Sequence, residues 1–388
     1  MIPRTKVNYS ITQLFRAAFI SEKATCQRDA LVRALSSLFG MRHILLTPSG
    51  RSALFLLLRS LPQKRVVVPA YTCKAVVEAV LLAGKEILYV EVCPKDFNMN
   101  LVDLKSVIDS STVVIATHQF GIPCDIQRIC EICSEIGAVV IEDVAAAFGT
   151  KVQGRLTGTF SGASFFSFDS TKLINVPLKG GFIATNDSRL FNSLMSVACE
   201  TLRPMGRRRK YWLLIQAFSL LIIEKPLMYR FFHKVMFEWR GRFTADVPEI
   251  KRKMSSFYHD EMTEWQAFFA NEQLERLASI IQKRQEIYKR LYEGLNDCVG
   301  IILPPPDSGS EWACIRFPIR VKGDKLNFYK KATRKGLDFA FSFTFIAAPE
   351  CMKESHGIAN SILNLPFYHK ISDQELSKTI QVIRTLAA

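Results

Sequence analysis

The feature that most constrains the fold is an alternation, between residues 45 and 190, of short apolar runs with helical segments. The apolar runs are rich in Val, Ile and Phe, and they cover residues 65–69, 86–92, 112–118, 138–143, 164–169 and 181–185. Most are continuous, which is typical of strands covered on both faces. Helical segments, among them 72–83 and 126–136, lie between them. We therefore predict an α/β fold with a mostly parallel sheet, in which ligands bind beyond the carboxyl ends of the strands.

Residues 203–255 interrupt this pattern. Four consecutive basic residues at 207–210 precede an apolar run, 211–223, which is shorter than the roughly 20 residues of a membrane-spanning helix. Two interpretations stay open: helices packed on the body or on a second subunit, and a basic helix pair lying on an anionic membrane. The packed arrangement is favoured because buried helix pairs are the commoner of the two.

The last third of the chain has its own set of elements. We predict one long amphipathic helix over 261–295, a strand over 314–321, a helix over 325–335, and a closing helix over 373–386 capped by Ser372. A length of 388 residues suits one large and one smaller domain. We place the large domain at 1–255, with 203–255 as an insertion, and a small C-terminal α/β domain at 256–388.

The net charge of +15 indicates an acidic partner: a phosphate-bearing substrate, an anionic membrane or a nucleic acid. No nucleic-acid reader motif is present, and the basic residues are mixed with apolar ones, so nucleic acid is not expected. Ten irregularly spaced cysteines and a start without a secretory signal predict reduced thiols in the cytoplasm. Cys124, Cys130 and Cys133 lie near one another but lack a second pair, so no metal site is expected.

The first candidate site is the turn Ser49, Gly50, Arg51 and Ser52, which opens a helix. A helix N-terminus offers free N–H groups and the positive end of the helix dipole, so it suits a phosphate. Gly50 lets the backbone approach a ligand, and the other three side chains can add donors. Ser and Gly also begin many helices as capping residues, so this turn alone is weak evidence.

Two further candidates follow predicted strands. Asp143 can hold a protonated ring nitrogen, although an aspartate there can also cap the next helix. Lys172 follows an apolar strand, where desolvation makes an amine a usable nucleophile and base, whereas a lone lysine is usually solvated. Ser167 can bind a phosphate oxygen. The prediction depends on all three patches meeting at the same edge of the sheet.

Five patches, taken in order along the chain, carry a family resemblance: SGRSAL, VPAYTCKAVVEAVLLAG, HQFGIPCDI, VVIEDVAAAFG, and FFSFDSTK with a following KGG. Together they resemble the DegT/StrS-type nucleotide-sugar aminotransferases, a family of fold type I pyridoxal-phosphate enzymes. The similarity runs from about residue 30 to the end and is weakest across 203–255. It implies a large domain with a seven-stranded, mostly parallel sheet, a smaller C-terminal α/β domain, pyridoxal 5′-phosphate as cofactor, and a homodimer with shared active sites.

The resemblance also implies roles for individual residues. Lys172 matches the lysine that bonds covalently to the cofactor, and Asp143 matches the partner of the cofactor's ring nitrogen. Ser167 and Gly50 match the phosphate binders. The family's usual threonine after that glycine is Arg51 here, which can contact a phosphate more strongly but differently.

Several positions depart from the family pattern. A glutamine near the cofactor ring is replaced by Ala146, and an aromatic residue over the ring is replaced by Cys73, so that Tyr71 or another side chain has to cover the ring. An asparagine and an arginine that reach in from the neighbouring subunit align with His259 and Glu261. His259 can still donate to a phosphate, whereas Glu261 reverses a charge. These changes concern the substrate side and leave the chemical centre in place.

The implied function is transfer of an amino group, with glutamate as the usual donor, to the keto group of a nucleotide sugar for polysaccharide or amino-sugar biosynthesis. The related dehydratases have a histidine at the lysine position, so Lys172 argues against them. His118, at the end of a strand beside the expected cleft, either contacts the substrate or satisfies the backbone there.

Two alternatives stay open. The hydrophobic, basic segment 207–242 can recruit a lipid-linked or membrane-near substrate, with the protein held peripherally on the inner face of the membrane. The replacements at Cys73, Ala146 and Glu261 also fit a degenerate, non-catalytic member of the family that serves as a scaffold or sensor.

Overall fold

The computed structural model describes residues 1–21, 26–235, 250–251, 253–307, 309, 311–344 and 346–388. The helices are α1 (Ile11–Ala18), α2 (Cys26–Phe39), α3 (Gly50–Ser60), α4 (Lys74–Leu82), α5 (Leu101–Val107), α6 (Ile126–Ile136), α7 (Ser188–Thr201), α8 (Arg207–Ile223), α9 (Pro226–His233), α10 (Glu264–Leu274), α11 (Leu277–Leu295), α12 (Lys325–Arg334), α13 (Lys353–Ser361) and α14 (Asp373–Ala387). The strands are β1 (His43–Thr47), β2 (Arg65–Pro69), β3 (Glu86–Val90), β4 (Thr112–Thr117), β5 (Val139–Asp143), β6 (Lys151–Val152), β7 (Arg155–Leu156), β8 (Ala163–Ser167), β9 (Gly181–Thr185), β10 (Ile301–Ile302), β11 (Pro318–Val321) and β12 (Ile362–Asn364).

The central sheet contains, within the described residues, seven strands in the order β1-β9-β8-β5-β4-β2-β3. Neighbouring strands are parallel from β8 through β3, whereas β9 runs antiparallel to both β1 and β8. The mostly parallel seven-stranded sheet expected from the sequence is therefore confirmed. Because β2, β4, β5 and β8 point the same way, their carboxyl ends meet at one edge of the sheet.

Helices cover both faces of this sheet, which explains the continuous apolar runs of its strands. Val66 and Val68 pack in one core with α3, α4 and α7, whereas Val67 between them packs in a second core with α5 and α6. All six residues of β4 are buried. Helix α6 ends as expected at Gly137, whose φ of +82° lies in the left-handed region that glycine tolerates.

The single helix expected over 261–295 is wrong, because α10 and α11 are separate helices. The chain leaves the helical conformation at Arg276, with φ −108° and ψ 11°. Phe268 and Phe269 of α10 belong to a core shared with α2, whereas Ile287 and Leu291 of α11 belong to the C-terminal core. Ile280 in the first turn of α11 still packs in the core of α10, so α11 runs from that core into the C-terminal one.

The C-terminal part forms a smaller α/β layer. Its antiparallel sheet has the order β10-β11-β12, and α12, α13 and α14 contribute to the core beside it. The strand expected over 314–321 is shorter, because β11 begins only at Pro318. Ser372 caps α14 with a reciprocal hydrogen bond to Glu375, as expected. The division into domains at residue 255 stays a prediction.

The insertion contains α8 and α9, and its residues 236–249 and 252 lie outside the described residues. Pro226 at the first turn of α9 begins a new helix direction. In the described part of the chain, no single helix has the length and apolar character of a membrane span. Together α8 and α9 have that length and composition, but they are bent by 100° at their junction.

Candidate active site

The carboxyl ends of the parallel strands open into a cavity of about 500 Å³. In the sheet register, Ser167 at the end of β8 lies opposite Gly181, and Asp143 at the end of β5 lies opposite Thr117. Eight residues that were predicted from the sequence line the cavity: Ser49, Gly50, Arg51, Cys73, Asp143, Ala146, Ser167 and Lys172. The three sequence patches therefore meet at the same edge of the sheet.

The N-terminus of α3 lies against the end of β8. A Cβ atom on Gly50 would come within 2.9 Å of the Cβ atom of Ser167, so a larger residue would push the helix away. Ser49 caps the helix, because its Oγ accepts the backbone N–H of Ser52 at 3.1 Å. The close approach leaves the positive end of the helix dipole at the cavity wall, which suits an anion.

Arg51 adds a fixed positive charge to this wall. Its Nη1 lies 2.8 Å from Oε2 of the fully buried Glu78, and its guanidinium lies over the ring of Tyr258 at 4.6 Å. Its Nε is buried and has no hydrogen-bond partner among the described residues, and the same holds for Oγ1 of Thr72 in the cavity wall. These unused donors fit a ligand with phosphate oxygens.

Asp143 supplies a buried negative charge to the cavity wall. Its Oδ1 accepts the backbone N–H of Ala145 at 3.0 Å. Burial raises the pKa of Asp143, although the charge of Lys172 opposes this rise. A cationic group beside the carboxylate would lower that pKa and stabilise the ionised form. A protonated ring nitrogen is such a group.

Lys172 lies in the turn after β8, where its backbone N–H donates to the carbonyl of Asp169 at 2.9 Å. Asp169 also forms an ion pair with Lys179, with 3.5 Å between Oδ2 and Nζ. Burial raises the pKa of Asp169, but the charges of Lys179 and Lys172 more than offset this and lower it. The turn thus holds two lysines around one ionised carboxylate.

Two of the predicted residues are engaged elsewhere. Ser52 donates from Oγ to the backbone carbonyl of Tyr258 at 2.9 Å, so its hydroxyl ties α3 to the chain after the insertion and does not line the cavity. Tyr71 is fully buried, and its hydroxyl donates to the carbonyl of Ser342 at 3.0 Å. Tyr71 therefore does not cover the cavity, and the cover expected from it must come from another side chain.

His118 is also buried outside the cavity. The backbone N–H of Cys124 donates to its Nδ1 at 3.2 Å, so its proton is on Nε2, which donates to Glu142 at 3.3 Å. Glu142 in turn accepts backbone N–H groups from the 158–161 turn. Of the two roles considered for His118, the structure shows the one that satisfies groups at the end of the strand.

His259 and Glu261 lie outside the cavity of their own chain. His259 donates from Nδ1 to the carbonyl of Thr201 at 3.2 Å. Oε2 of Glu261 lies 3.4 Å from Nη1 of Arg28. Their expected positions beside a cofactor belong to a neighbouring subunit, so the fold of one chain does not decide their role.

Other cavity residues were missed from the sequence because they come from distant segments: Phe120, Lys179, Lys251, Tyr258, Arg316 and Phe343. Phe120 and Phe343 stack with ring centroids 6.1 Å apart, and both have a left-handed φ, of 59° and 50°. Non-glycine residues rarely adopt this conformation, and it is concentrated at binding sites. Neither the stacking nor the strain has a local sequence signal.

Nearly the whole chain matches the model of a known protein family. Residues 9–384 match the DegT/DnrJ/EryC1/StrS aminotransferase family. The chain belongs to this family. The resemblance inferred from five patches is therefore confirmed, and it extends closer to the N-terminus than those patches indicated.

Two of the similar curated proteins match this chain over slightly less than half of their own length. A UDP-N-acetyl-3-dehydro-alpha-D-glucosamine 3-aminotransferase of Acidithiobacillus ferrooxidans is 33% identical over 43% of this chain and 47% of the relative. A GDP-perosamine synthase of Escherichia coli O157:H7 is 33% identical over 38% of this chain and 40% of the relative. The chain thus matches less than two thirds of these two relatives.

The fold is shared over the whole chain. A putative sugar aminotransferase, Spr1654 of Streptococcus pneumoniae in its PLP-form, superposes with a TM-score of 0.73 over 100% of this chain and 98% of that chain, at 18% identity. The expected fold type, a large sheet domain followed by a smaller α/β part, is confirmed by this likeness.

Proposed function

We propose that this protein is a pyridoxal-phosphate-dependent aminotransferase that moves an amino group, from glutamate as the usual donor, to a keto group of a nucleotide-linked sugar. The observation that carries this proposal is the cavity itself, which brings Lys172, Asp143 and the Ser49–Arg51 turn together. Family membership supports the same chemistry. The solved PLP-form of a family neighbour supports the cofactor.

The cavity residues fit this cofactor at both of its ends. Gly50, Ser49 and Ser167 hold the phosphate at the N-terminus of α3, and Arg51 adds a charged donor. Asp143 holds the ring nitrogen in its protonated form. Bound pyridoxal phosphate supplies an electron sink for the negative charge that develops at a substrate carbon.

Lys172 acts as the proton carrier of the reaction. In the loaded site Lys172 would hold the cofactor, and its Nζ, once free, would take the proton from the donor's α-carbon. In the second half of the reaction the same Nζ returns a proton to the carbon that receives the amine. Its position in the turn after β8, beside Asp169, keeps the amine within the cavity.

A spectroscopic half-reaction tests the proposal. Purified protein supplied with pyridoxal phosphate should show the visible band of a lysine-bound cofactor, and L-glutamate should remove that band. Lys172→Ala should lack the band, whereas Lys105→Ala, on α5, should retain it. A wild-type protein without the band would favour the non-catalytic alternative. A band that glutamate leaves unchanged would retain the cofactor but contradict glutamate as donor.

The acceptor is an anionic nucleotide sugar for amino-sugar or polysaccharide biosynthesis. The names of the two curated relatives contain UDP- and GDP-linked sugars, whose diphosphates carry negative charge. The chain's net charge of +15 is complementary to such substrates. Lys251, Lys179 and Arg316 contribute positive charge to the cavity wall.

The active unit is a homodimer in which each chain completes the cavity of the other. His259 and Glu261 support this assignment, because both are partly exposed and neither lines the cavity of its own chain. Complementation tests it: mixing Lys172→Ala with a second inactive variant at His259 should restore activity in the mixed dimer. Mixtures as inactive as the separate variants would contradict shared sites.

A second functional surface is assigned to the insertion. The exposed apolar residues of α8 and α9 form what we call the insertion surface: Tyr211, Trp212, Ile215, Phe218, Ile222, Leu227, Met228, Phe231 and Phe232. On α8 they recur at helical spacing, opposite the buried Leu213 and Ala217. One face of these helices packs on the body, as favoured from the sequence, because Ala217, Tyr229 and His233 are buried. The opposite face is open in a single chain, with Leu227 79% and Phe231 67% exposed.

The charges around the insertion surface indicate an anionic bilayer as its partner. Residues 203–235 contain eight basic residues and one acidic residue, Glu224, which is turned inward and accepts the backbone N–H of Val7. The positive end of the α8 dipole also carries Arg207 and Arg208, an unfavourable arrangement that lipid phosphates would offset. The protein would then be cytoplasmic and peripheral to the membrane, close to lipid-linked or membrane-near substrates.

Vesicle sedimentation tests this assignment. The protein should sediment with vesicles containing an anionic lipid, and binding should fall as salt is raised, whereas neutral vesicles should bind it less. Equal lack of binding to both kinds of vesicle would contradict the assignment. If polar replacements of Leu227 and Phe231 instead dissociate a dimer in light scattering, a second copy of the chain covers the surface and the membrane assignment fails.

A further inference from the structure

Arg316 lies in the segment just before β11 and lines the same cavity as Lys172 and Asp169. Two other cations of the cavity wall have carboxylate partners: Arg51 pairs with Glu78, and Lys179 pairs with Asp169. The guanidinium of Arg316 makes no hydrogen bond or ion pair with any described residue. It is partly buried, so water replaces these missing partners only in part.

This arrangement is energetically unfavourable for an empty cavity. Burial lowers the pKa of Arg316 to about 10, and the nearby charge of Arg4 adds to this effect, while the charge of Asp169 opposes it without bonding to the guanidinium. Arg4 itself is bound to Asp338, with 2.6 Å between Nε and Oδ2, so that carboxylate is already in use. With a pKa of about 10, Arg316 still carries its charge at neutral pH. A desolvated charge without a partner is costly, and a bound anion offsets the cost.

We propose that Arg316 binds a carboxylate group of the amino donor while Lys172 acts on the proton of the donor's α-carbon. A guanidinium presents parallel N–H donors in a plane, which match the two oxygens of a carboxylate. The proposed phosphate donors of the cavity are grouped at the N-terminus of α3, around Gly50 and Arg51, whereas Arg316 comes from the segment just before β11. Arg316 is thus a specificity-determining residue that selects a carboxylate-bearing donor, and this assignment rests on the proposed aminotransferase function.

Binding of an unreactive dicarboxylate separates this role from catalysis. Glutarate has the carboxylates of the donor but no amine, and glutaramide has the same carbon chain without charge. In calorimetric titrations of the cofactor-loaded protein, wild type should bind glutarate more tightly than glutaramide. Arg316→Gln should weaken glutarate binding by about ten- to hundred-fold, since charge-assisted hydrogen bonds are lost. It should leave glutaramide binding unchanged.

Two variants control for structure and charge. Arg316→Lys keeps the charge but loses the planar fork, so its affinity for glutarate should lie between those of wild type and Arg316→Gln. Arg320→Gln, four residues along the chain, removes an arginine whose side chain bonds to Ser361 and Pro94 outside the cavity, and it should not change the affinity. Unchanged melting temperatures show that each variant is folded. If Arg316→Gln does not fold, the test is made with Arg316→Lys alone.

Unchanged glutarate affinity in both Arg316 variants would overturn the proposal. So would a variant that loses affinity for a nucleoside diphosphate and retains it for glutarate, because Arg316 would then bind the sugar nucleotide. Failure of the underlying function is recognised separately: wild type would lack the visible band of a lysine-bound cofactor before any titration.

Discussion

The cavity and the insertion surface depart from ordinary burial in opposite senses. In the cavity, Asp143 is buried without a cation bonded to it, and Arg51 has a buried donor without a partner. On α8 and α9, large apolar side chains such as Leu227 and Phe231 are exposed. Folded chains usually satisfy buried polar groups and bury large apolar clusters. The proposed partners complement these two departures: a charged cofactor would pair with the buried polar groups, and a lipid surface would cover the exposed apolar side chains.

The two regions should respond to mutation independently. Their described residues belong to different elements. The free-energy effects of mutations are usually additive for residues that share no partner. Cavity variants should lose activity and keep vesicle binding, and insertion variants should do the opposite. A variant that loses both would show that the comparison is wrong and that the regions are coupled.

The largest effect is expected for Asp143→Ala. Removal of the carboxylate would leave the protonated ring nitrogen of the cofactor without a partner in a buried site. Breaking a buried ion pair by removing one partner costs about 3–5 kcal/mol. We expect turnover to fall by roughly 10²- to 10³-fold in steady-state assays with glutamate. Vesicle binding should be unchanged. Turnover within a few-fold of wild type would contradict the role given to Asp143.

A smaller effect is expected for the double variant Arg207→Gln, Arg208→Gln. Each basic residue near an anionic membrane contributes about 1 kcal/mol, so vesicle affinity should fall roughly thirty-fold. The matched variant Lys289→Gln, Lys283→Gln removes two charges from α11, far from the insertion in sequence, and should have little effect. Loss of turnover in the Arg207, Arg208 variant would break the separation of the two regions.

The smallest effect concerns Glu224, a partly buried carboxylate at the end of α8. Burial raises its pKa to about 7, although the bonded N–H of Val7 lowers it. Because this pKa lies above the unfolded value, the associated stability is present below pH 4.5 and is lost as the pH rises through 7. Glu224→Gln has no charge to lose, so its melting temperature should exceed that of wild type by about 2 °C at pH 8 and not at pH 4.5.

The exposed Glu293→Gln is the control for this pH effect, and it should behave as wild type at both pH values. Equal melting temperatures of Glu224→Gln and wild type at pH 8 would show that Glu224 titrates normally.

The sequence predicted the parts of the site that are local. Strand ends follow continuous apolar runs, so Asp143, Ser167 and Lys172 could be placed at the sheet edge, and all three line the cavity. Ser52 and Tyr71 were misplaced because their hydroxyls bond to backbone carbonyls at Tyr258 and Ser342, far along the chain.

The rest of the site depends on tertiary packing. Arg316 and Phe343 reach the cavity through the C-terminal layer, and no periodicity around them indicates this. The stacking and left-handed φ of Phe120 and Phe343 are likewise set by contacts between distant segments. The break between α10 and α11 was missed because the helical periodicity continues through it: Ile280 of α11 packs in the same core as Phe268 and Phe269 of α10.

Reductive trapping tests the central claim most directly. The protein loaded with pyridoxal phosphate is treated with borohydride, which makes the bond between lysine and cofactor permanent, and its peptides are analysed by mass spectrometry. Lys179 is the internal control, because it lines the same cavity seven residues further along the chain. The account predicts the phosphopyridoxyl adduct on Lys172 and not on Lys179. An adduct on Lys179 alone, or on neither lysine, would contradict it.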